Sequence, residues 1–448
     1  MLERFKTHSA QQHLLPEGRE VLLAVSGGRD SVAMADLCHR AGVKFAIAHC
    51  NFGLRPGDCD RDEAFVRGLA GRYGAEVHTE RYDTRAYAAA HGQGIEEAAR
   101  ELRYAFFARL CRERGYACVA TAHHRDDAVE TFFLNLFRGT GLEGLRGIPL
   151  HSKFNTQNSE LHVVRPMLCF SRGEIDAYVA GRGLAYVEDH TNSQPVAQRN
   201  RIRLQLMPLL RELYPGVDAT MEQNLRRLEE AAEVYRSHVD AMRSRLLQPY
   251  ASVLPYPHPP LTGVRVEELL ALEPRRTLMF ELLRAYGVNA AMVDELIKAL
   301  PTEGGQLFHT ASHSLTLHRG HLIIAPREAA RQPRVESAEA ALPGQWDRSG
   351  REIYVDGDHV QPPLRMRLWQ AADRFRPFGM EGSRLVSDFL SGLGLSRLER
   401  QWVWVMEDGG GSIVWVVGLR ADERTRVGDG TRKVLRLSLA EGAQVGGC

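Results

Sequence analysis

The sequence predicts an α/β protein with a parallel sheet in its N-terminal domain, a mainly helical middle domain and a small α+β C-terminal domain. With 448 residues the chain exceeds what one hydrophobic core normally supports, so two or three domains are expected. Up to about residue 215, short apolar runs alternate with helical patterns, which indicates a parallel sheet with crossover helices. Beyond that residue the alternation stops and apolar residues recur at helical spacing.

The parallel sheet accounts for five apolar runs in the N-terminal domain. These candidate strands are Val21–Val25, Phe45–His49, Glu76–Thr79, Cys118–Thr121 and His162–Pro166. Ligands of such sheets bind beyond the carboxyl ends of the strands. Ser26, His49 and His123 are therefore expected to meet in one crevice although they are far apart in the sequence. The polar stretch from Ser152 to Glu160 is predicted to be a loop.

The rest of the chain divides by pattern into a helical domain at 216–328, a linker at 329–350 and a C-terminal domain at 351–448, so that the N-terminal domain covers 1–215. Apolar residues from Met221 to Leu246 recur at steps of four and three, as in one long amphipathic helix. Leu269–Leu300 is also predicted to be helical, and Ser314–Ala325 to form a hairpin. Residues 329–350 lack periodicity, which suits a linker. A hairpin of Trp402–Met406 with Ile413–Gly418 indicates an α+β C-terminal domain.

Composition excludes several classes of protein. The longest apolar runs are far too short to span a bilayer, and the charged start of the chain carries no secretion signal. Seven cysteines without a C-x-x-C pair argue against a disulfide framework or a zinc ribbon. These features predict a cytoplasmic protein. The formal net charge of +1 gives no argument for a nucleic-acid partner, which must rest on local patches.

The segment Ser26-Gly27-Gly28-Arg29-Asp30-Ser31 carries the strongest functional signal. It lies between a predicted strand and a predicted helix, where backbone N–H groups and the positive end of the helix dipole favour an anion. Glycine lets the chain approach that anion closely. The segment matches neither the Walker nor the dinucleotide fingerprint. An ordinary turn is the alternative, but the acid and the second serine behind an apolar strand favour a nucleotide phosphate site.

A second signal is the segment from His123 to Glu130, which follows the fourth predicted strand. Asp127 and Glu130 are three residues apart, so their carboxylates project from the same side of a helical turn. Such a pair can hold Mg²⁺ or an amine. Acids that only stabilise a helix start are the alternative, and the two adjacent histidines favour a functional site.

Three weaker clusters complete the set of candidate residues. Glu96, Arg100 and Arg103 lie on one helix face, where an exposed ion-pair ladder is the alternative. His49–Arg55 follows the second strand and could contact a base or a phosphate. The segment Arg199-Asn200-Arg201-Ile202-Arg203 forms a cationic patch suited to phosphates, or else a solvated basic helix end.

Taken together, these motifs resemble the bacterial tRNA(Ile)-lysidine synthetases of the PP-loop ATP pyrophosphatase superfamily. The resemblance covers nearly the whole chain. The matching segments are Ser26–Ser31, His49–Arg55, Gly94–Tyr104, Thr121–Thr131, Arg138–Gly141, Arg165-Pro166, Glu188-Asp189, Arg199–Arg203, Asp373–Gly379, Ser387–Leu390 and Trp415–Arg420. Phe52 departs from the family, many of whose members carry a histidine there.

The resemblance implies a Rossmann-like PP-loop domain and a specific reaction. Members of the family use ATP and free L-lysine to convert the wobble cytidine of a tRNA(Ile) with a CAU anticodon into lysidine, so that the codon read changes from AUG to AUA. ATP and Mg²⁺ are the expected cofactors, and that tRNA and lysine the expected partners. No membrane partner is expected, and a homodimer is left open.

The predicted site residues fall into three groups. The nucleotide is expected to contact Ser26, Gly27, Gly28, Arg29, Asp30, Ser31 and His49, with Asp30 and Asp127 on Mg²⁺. Catalytic roles are expected for Asp30, Arg103, His123, Asp127, Glu130 and Arg201. The RNA or lysine is expected to contact Arg55, Glu96, Arg100, Arg199, Asn200 and Arg203.

Other adenylating enzymes are the competing interpretations. A PP-loop thiolase acting on tRNA would share the first domain, but such enzymes generally use cysteine pairs, which this chain lacks. A small-molecule ligase would not explain the C-terminal match. A tRNA-binding protein without catalysis is disfavoured by Asp30, Asp127 and Glu130.

Overall fold

The structure is a computed structural model that describes residues 1–54, 57–156, 159–188, 198–302, 305–328, 331–344 and 349–440. It divides into two compact units, Met1–Tyr235 and Arg236–Cys448. Within those described ranges, no helix combines the length and the apolar character that crossing a bilayer requires.

The first unit is built around a six-stranded sheet. Its strands are β1 (Val21–Ala24), β2 (Phe45–Asn51), β3 (Val77–Arg81), β4 (Val119–Ala120), β5 (His151–Thr156) and β6 (Ser159–Val164). They lie in the order β3-β2-β1-β4-β6-β5. The first five in that order pair in parallel, and β5 joins β6 antiparallel at the edge.

Helices pack on both faces of this sheet. The helical segments of the first unit are α1 (Leu2–Gln11), α2 (Arg29–Ala41), α3 (Asp58–Tyr73), α4 (Thr84–His91), α5 (Ile95–Arg114), α6 (Arg125–Arg138), α7 (Leu142–Leu145), α8 (Arg172–Arg182), α9 (Gln198–Arg201), a π-helical turn (Ile202–Leu206), α10 (Met207–Leu213) and α11 (Val217–Leu246), the last of which runs on into the second unit. Leu23 packs in one cluster with α2 and α8, and Leu22 packs in another with α5. A strand buried on both faces is continuously apolar, which is why β1 was recognisable in the sequence.

All five predicted strands are present, with ends shifted by a few residues. The predicted loop from Ser152 to Glu160 is wrong, because these residues form most of the β5-β6 hairpin. An edge strand that is solvated on one side carries many polar residues, so its sequence resembles that of a loop. The ring of Phe154 lies 4.5 Å from that of Tyr104, so the hairpin packs against α5 at this point.

The second unit combines four antiparallel sheets with short helices. Its strands are β7 (Gln248–Pro249), β8 (Thr262–Arg265), β9 (Leu307–His309), β10 (His313–His318), β11 (His321–Pro326), β12 (Val335–Glu339), β13 (Glu352–Asp356), β14 (Arg365–Leu368), β15 (Arg374–Phe375), β16 (Arg384–Leu385), β17 (Trp404–Glu407), β18 (Ile413–Val416), β19 (Arg420–Ala421) and β20 (Val434–Leu439). The helices are α12 (Val266–Leu270), α13 (Arg275–Leu283), α14 (Ala290–Ala299), α15 (Val386–Gly392) and α16 (Arg397–Arg400), with 3₁₀ turns at Arg284–Tyr286 and Glu423–Thr425. Trp415 and Phe375 are buried in its main core.

Both predicted hairpins of the second unit are confirmed, as β10-β11 and β17-β18. Two predictions need correction. The middle region contains a five-stranded sheet, β7-β8-β11-β10-β9, beside its helices, so "mainly helical" describes only part of it. The predicted linker contains β12, which pairs with β20. Most of β12 is exposed, and its backbone hydrogen bonds leave no apolar pattern in the sequence.

A buried carboxylate links β2, β3 and α3. Glu63 accepts hydrogen bonds from Asn51 Nδ2 at 3.1 Å, Arg67 Nη2 at 3.0 Å and Arg81 Nε at 2.9 Å. Burial alone would raise the pKa of Glu63, but these donors outweigh it and lower the pKa from 4.5 to about 2. A carboxyl with a lowered folded-state pKa stabilises the fold above its unfolded pKa, and this contribution is lost as the pH falls from 4.5 towards 2.

We expect Glu63→Gln to destabilise the protein by about 2 to 3 kcal/mol at pH 7. Urea titrations followed by circular dichroism at pH 7 and pH 3 measure the difference, which should shrink at pH 3 where the wild-type contribution is partly lost. Glu160→Gln is the matched control, because Glu160 pairs with Lys153 at the surface. An equal loss at both pH values would contradict the assignment.

Candidate active site

The segment Ser26–Ser31 forms the turn between β1 and α2 at the carboxyl edge of the sheet. Gly27 has a φ of 91°, and a Cβ there would lie 3.4 Å from the Phe65 ring. Gly28 caps α2; its N–H donates to Ser26 Oγ at 3.3 Å, and Ser31 Oγ donates to its carbonyl at 2.8 Å. Ser26 is exposed. The turn is therefore open to solvent at Ser26, and binding of an anion at the start of α2 stays a prediction.

Arg29 does not face this turn. Its guanidinium donates to Asp176 Oδ1 at 2.7 Å and to the Tyr186 hydroxyl at 2.9 Å, and it stacks on the Tyr186 ring at 4.7 Å. The Arg29 side chain therefore anchors the turn against α8, and its nucleotide contact stays a prediction. His49 is buried, its Nδ1 lies 2.9 Å from the Val25 carbonyl oxygen, and its nucleotide contact likewise stays a prediction.

Three carboxylates surround the buried ring of His124, which is 1% exposed. His124 Nε2 lies 3.5 Å from Asp127 Oδ2 and 3.9 Å from Asp30 Oδ2, and Nδ1 lies 3.7 Å from Asp126 Oδ2. Neither ring nitrogen has a hydrogen-bond partner among the residues that the structure describes. Asp30 and Asp127, predicted from separate motifs, are therefore brought together. Among the residues with described positions, no group of three His, Cys, Asp or Glu is arranged as a metal centre.

The protonation states of these groups are shifted by their surroundings. Burial raises the pKa of Asp30, against the opposing effects of Arg172 and His124. Burial would also raise the pKa of Asp127, but His124 and Arg199 hold it below its usual value. Burial lowers the pKa of His123 to about 4, and its Nδ1 lies 3.0 Å from Thr121 Oγ1. His123 is therefore neutral at pH 7, and its low pKa makes the ring a weak base.

Glu130 is paired with two arginines. It is 2% exposed; Arg199 Nε donates to it at 2.9 Å, and Arg203 donates through Nε at 2.6 Å and through Nη2 at 2.9 Å. Arg203 Nη2 also donates to Asp127 Oδ1 at 3.3 Å. We refer to Glu130, Arg199 and Arg203 as the buried triad, a name that refers to the buried Glu130, since the two arginine side chains are 37% and 27% exposed. The sequence predicted these groups as separate acidic and basic patches, whereas the fold places them in direct contact.

The remaining predicted residues lie outside this cluster. Arg201, predicted to be catalytic, is exposed and lines a different pocket. Arg103 and Arg100 are exposed and lie over the rings of Phe52 and Tyr104 at 5.2 and 4.9 Å. Glu96 is exposed and Asn200 half-buried, and Arg55 lies outside the described residues.

The sequence analysis missed Arg172, which connects three elements. Its side chain donates to Asp30 Oδ1, and its backbone N–H donates to Asp126 Oδ2 at 2.8 Å. Ser171 and Glu174 form a capping box at the start of α8. This serine-x-x-glutamate pattern is readable in the sequence and would have located the start of α8 beside the site.

A pocket of about 450 Å³ opens beside this cluster. Its charged lining residues carry both signs: Arg125, Arg172, Arg203 and Arg211 with Asp126, Glu130 and Asp218. Arg211 pairs with Asp218 at 2.9 Å and with Asp126 at 3.3 Å. A lining of this kind suits a small ligand with an anionic and a cationic group.

Comparison with known proteins identifies the family of this chain. Models described as PP-loop domain, TilS substrate binding domain and TilS substrate C-terminal domain match residues 2–210, 262–327 and 364–439. The tRNA(Ile)-lysidine synthase of Parabacteroides distasonis is 34% identical, covering 97% of this chain and 99% of that protein. The chain belongs to the tRNA(Ile)-lysidine synthase family.

Further relatives agree with this assignment. The tRNA(Ile)-lysidine synthase of Bacteroides thetaiotaomicron is 34% identical, covering 97% of this chain and 98% of that protein, and the enzyme of Thermus thermophilus is 35% identical, covering 82% and 68%. As a member of the tRNA(Ile)-lysidine synthase family, the chain is an ATP-dependent tRNA-modifying ligase.

Proposed function

We propose that this enzyme joins free L-lysine to C2 of the wobble cytidine of tRNA(Ile) with a CAU anticodon, through an adenylated intermediate. The products are lysidine, AMP and pyrophosphate, and the reaction takes place in the cytoplasm. The observation that carries the proposal is the accessible glycine turn beside Asp30, His124 and Asp127 in a chain with full-length family similarity.

The first step has a clear chemical purpose. The C2 oxygen of a pyrimidine is a very poor leaving group. When that oxygen attacks the α-phosphorus of ATP, an O–P bond forms, the bond to the β-phosphate bridging oxygen breaks, and pyrophosphate leaves. The Ser26–Ser31 turn and the start of α2 supply N–H groups for the phosphates. Positioning of this kind is the main contribution that such a site makes to phosphoryl chemistry.

Asp30 and Asp127 fit a magnesium ion. Their Oδ2 atoms lie within 4 Å of the same unpartnered nitrogen of His124, so both carboxylates converge on one point. One or two carboxylates with substrate phosphates and waters are the usual ligands of Mg²⁺. When bound there, the ion would neutralise charge on the phosphates.

The pocket of mixed charge fits lysine. Free lysine carries an α-carboxylate, which Arg172 or Arg211 can bind, and two ammonium groups, for which Asp126 and Asp218 offer acceptor oxygens. Glu130 differs from its predicted role, since its oxygens already accept three hydrogen bonds. We assign it the task of holding Arg199 and Arg203 beside Asp127.

The second step requires a deprotonated amine. The lysine ε-amine has a reference pKa of about 10.4, so it must lose a proton before its nitrogen attacks C2. That attack forms a C–N bond, breaks the C2–O bond and releases AMP. Neutral His123 is our candidate for passing this proton on to solvent, because its low pKa keeps it from holding the proton at pH 7, and Asp127 orients the amine. Arg103 and Arg100, stacked on aromatic rings, are candidates for RNA contacts.

The second unit is our candidate for binding the body of the tRNA. Arg374, Arg376 and Arg384 are exposed on or beside its short β15-β16 pair, and Arg426 lies 5.6 Å from the ring of exposed Phe378. Exposed arginines contact phosphates without reading sequence, and the aromatic ring adds a surface for stacking.

Incubation of the protein with ATP, labelled lysine and CAU-anticodon tRNA(Ile) tests the proposal. We expect label in the tRNA together with one AMP and one pyrophosphate per lysine transferred. A methionine tRNA with the same anticodon is the control. Pyrophosphate release without transfer of label would contradict lysine as the nucleophile, and no release at all would contradict adenylation.

A further inference from the structure

An apolar groove lies at the far end of α6, outside the cluster around His124. It has a volume of about 530 Å³, and its lining residues come from α6, α9, the π-helical turn and α10. They include Leu134, Phe137, Arg138, Arg201, Gln205 and Leu209. Phe137 is 68% exposed and Leu209 is 50% exposed. Exposed apolar surface concentrated in a groove marks an interaction site more often than scattered single residues do.

The rim of this groove is cationic. Arg138 Nη2 donates to the neutral Gln198 Oε1 at 3.0 Å, and Arg201 is exposed. Within the described part of the chain, neither arginine forms an ion pair with a carboxylate. By contrast, Arg199 and Arg203 both form ion pairs with Glu130. The two rim arginines therefore retain their capacity to bind an anion.

We propose that this groove binds an unpaired nucleobase of the tRNA loop that carries the reactive cytidine, with Phe137 as the stacking surface. Arg138 and Arg201 would contact the flanking phosphates. The proposal rests on the proposed function. Single-stranded RNA is typically recognised by bases that stack on aromatic rings, with arginine on the backbone, and the groove offers both groups together.

The position of the groove agrees with this occupant. Phe137 lies seven residues after Glu130 on the same helix, which places it about 10 Å further along the axis. Stacked nucleotides advance about 3.4 Å per step, so a base two or three positions from the reactive one is within reach. If a second copy of the chain bound here symmetrically, Arg138 and Arg201 of one copy would lie near the same arginines of the other. Such contacts between like charges are unfavourable.

Substitutions at Phe137 test the proposal in the full-length protein. We expect Phe137→Ala to raise both the Kd for the tRNA, measured by filter binding, and the KM for the tRNA about tenfold. The KM values for ATP and lysine should not change. Phe137→Tyr should retain wild-type binding, whereas Phe137→Leu should resemble the alanine variant, because leucine keeps the apolar contact but loses the stacking surface. Arg201→Ala should make the plot of log Kd against log salt concentration less steep, by the amount that corresponds to about one phosphate contact.

Sedimentation velocity on the same variants separates the alternatives. An unchanged Kd for the tRNA in Phe137→Ala, or full binding in Phe137→Leu, would overturn the proposal. A loss of self-association in Phe137→Ala without an effect on tRNA would show that the groove is an interface between two copies. Because filter binding needs no turnover, a wild-type protein that binds the tRNA but transfers no lysine would refute the proposed function and leave the test of the groove intact.

Discussion

Replacement of Asp127 with Asn is expected to reduce lysidine formation at least 100-fold while the fold is retained. Asp127 lies next to His124 and Arg203, and its pKa is held below its usual value, so it is an anion at neutral pH. Asparagine keeps the size of the side chain but cannot bind Mg²⁺ or an ammonium with full charge. Removal of one electrostatic group of this kind typically costs 10²- to 10³-fold in rate. Transfer of labelled lysine to the tRNA measures the effect.

Asp62→Asn serves as the matched control, because within the described ranges of the chain Asp62 forms an ion pair only with its exposed neighbour Arg61. Circular dichroism and thermal melting confirm that both variants are folded. Activity of Asp127→Asn within about threefold of the wild type would rule out a direct role for this carboxylate. Loss of lysine transfer with normal pyrophosphate release would assign Asp127 to the lysine step.

The second large effect is expected from Glu130→Gln. This change removes the carboxylate that Arg199 and Arg203 share and leaves Asp127, at 3.6 and 3.3 Å, as their remaining acidic partner. Removal of one partner from a buried ion pair costs about 3 to 5 kcal/mol, and we expect the lower end of that range, because Asp127 still compensates part of the charge. For a unit of this size, each kcal/mol lowers the Tm by about 2 to 4 °C. Differential scanning calorimetry should therefore show a fall of about 6 to 12 °C, accompanied by a loss of activity.

Two further variants make this prediction specific. Glu160→Gln makes the same chemical change in an exposed pair, and exposed pairs contribute less than about 1 kcal/mol. The double variant Glu130→Gln with Arg203→Gln should recover part of the lost stability, since it removes one of the unpaired charges. A Tm of Glu130→Gln within 2 °C of that of Glu160→Gln would show that the buried triad contributes little to stability.

The sequence predicted the parts of the fold that have strong periodic signals. The five parallel strands and the helix α11 were recognisable because burial on one or both faces leaves an apolar pattern. Strands β5 and β12 were missed, because the first is an edge strand and the second is largely exposed. Both are held by backbone hydrogen bonds that any residue can make.

Motifs in the sequence located the residues of the candidate site but not the contacts that these residues make. The glycine turn, Asp30 and Asp127 could be located because each follows a strand, and parallel strands bring their carboxyl ends to one edge. Sequence spacing placed Arg199, Arg201 and Arg203 in one patch, yet only the first and third face Glu130. Arg29 and His49 were predicted to touch the nucleotide, but their partners, Asp176 and the Val25 carbonyl, depend on packing that no local pattern encodes.

The buried triad also bears on how such an enzyme can diverge. Loss of either arginine leaves Glu130 paired with the other, whereas loss of Glu130 leaves two arginines to share Asp127. Glu130 is consequently expected to be the least replaceable of the three, and its exchange should require the simultaneous replacement of at least one of the arginines.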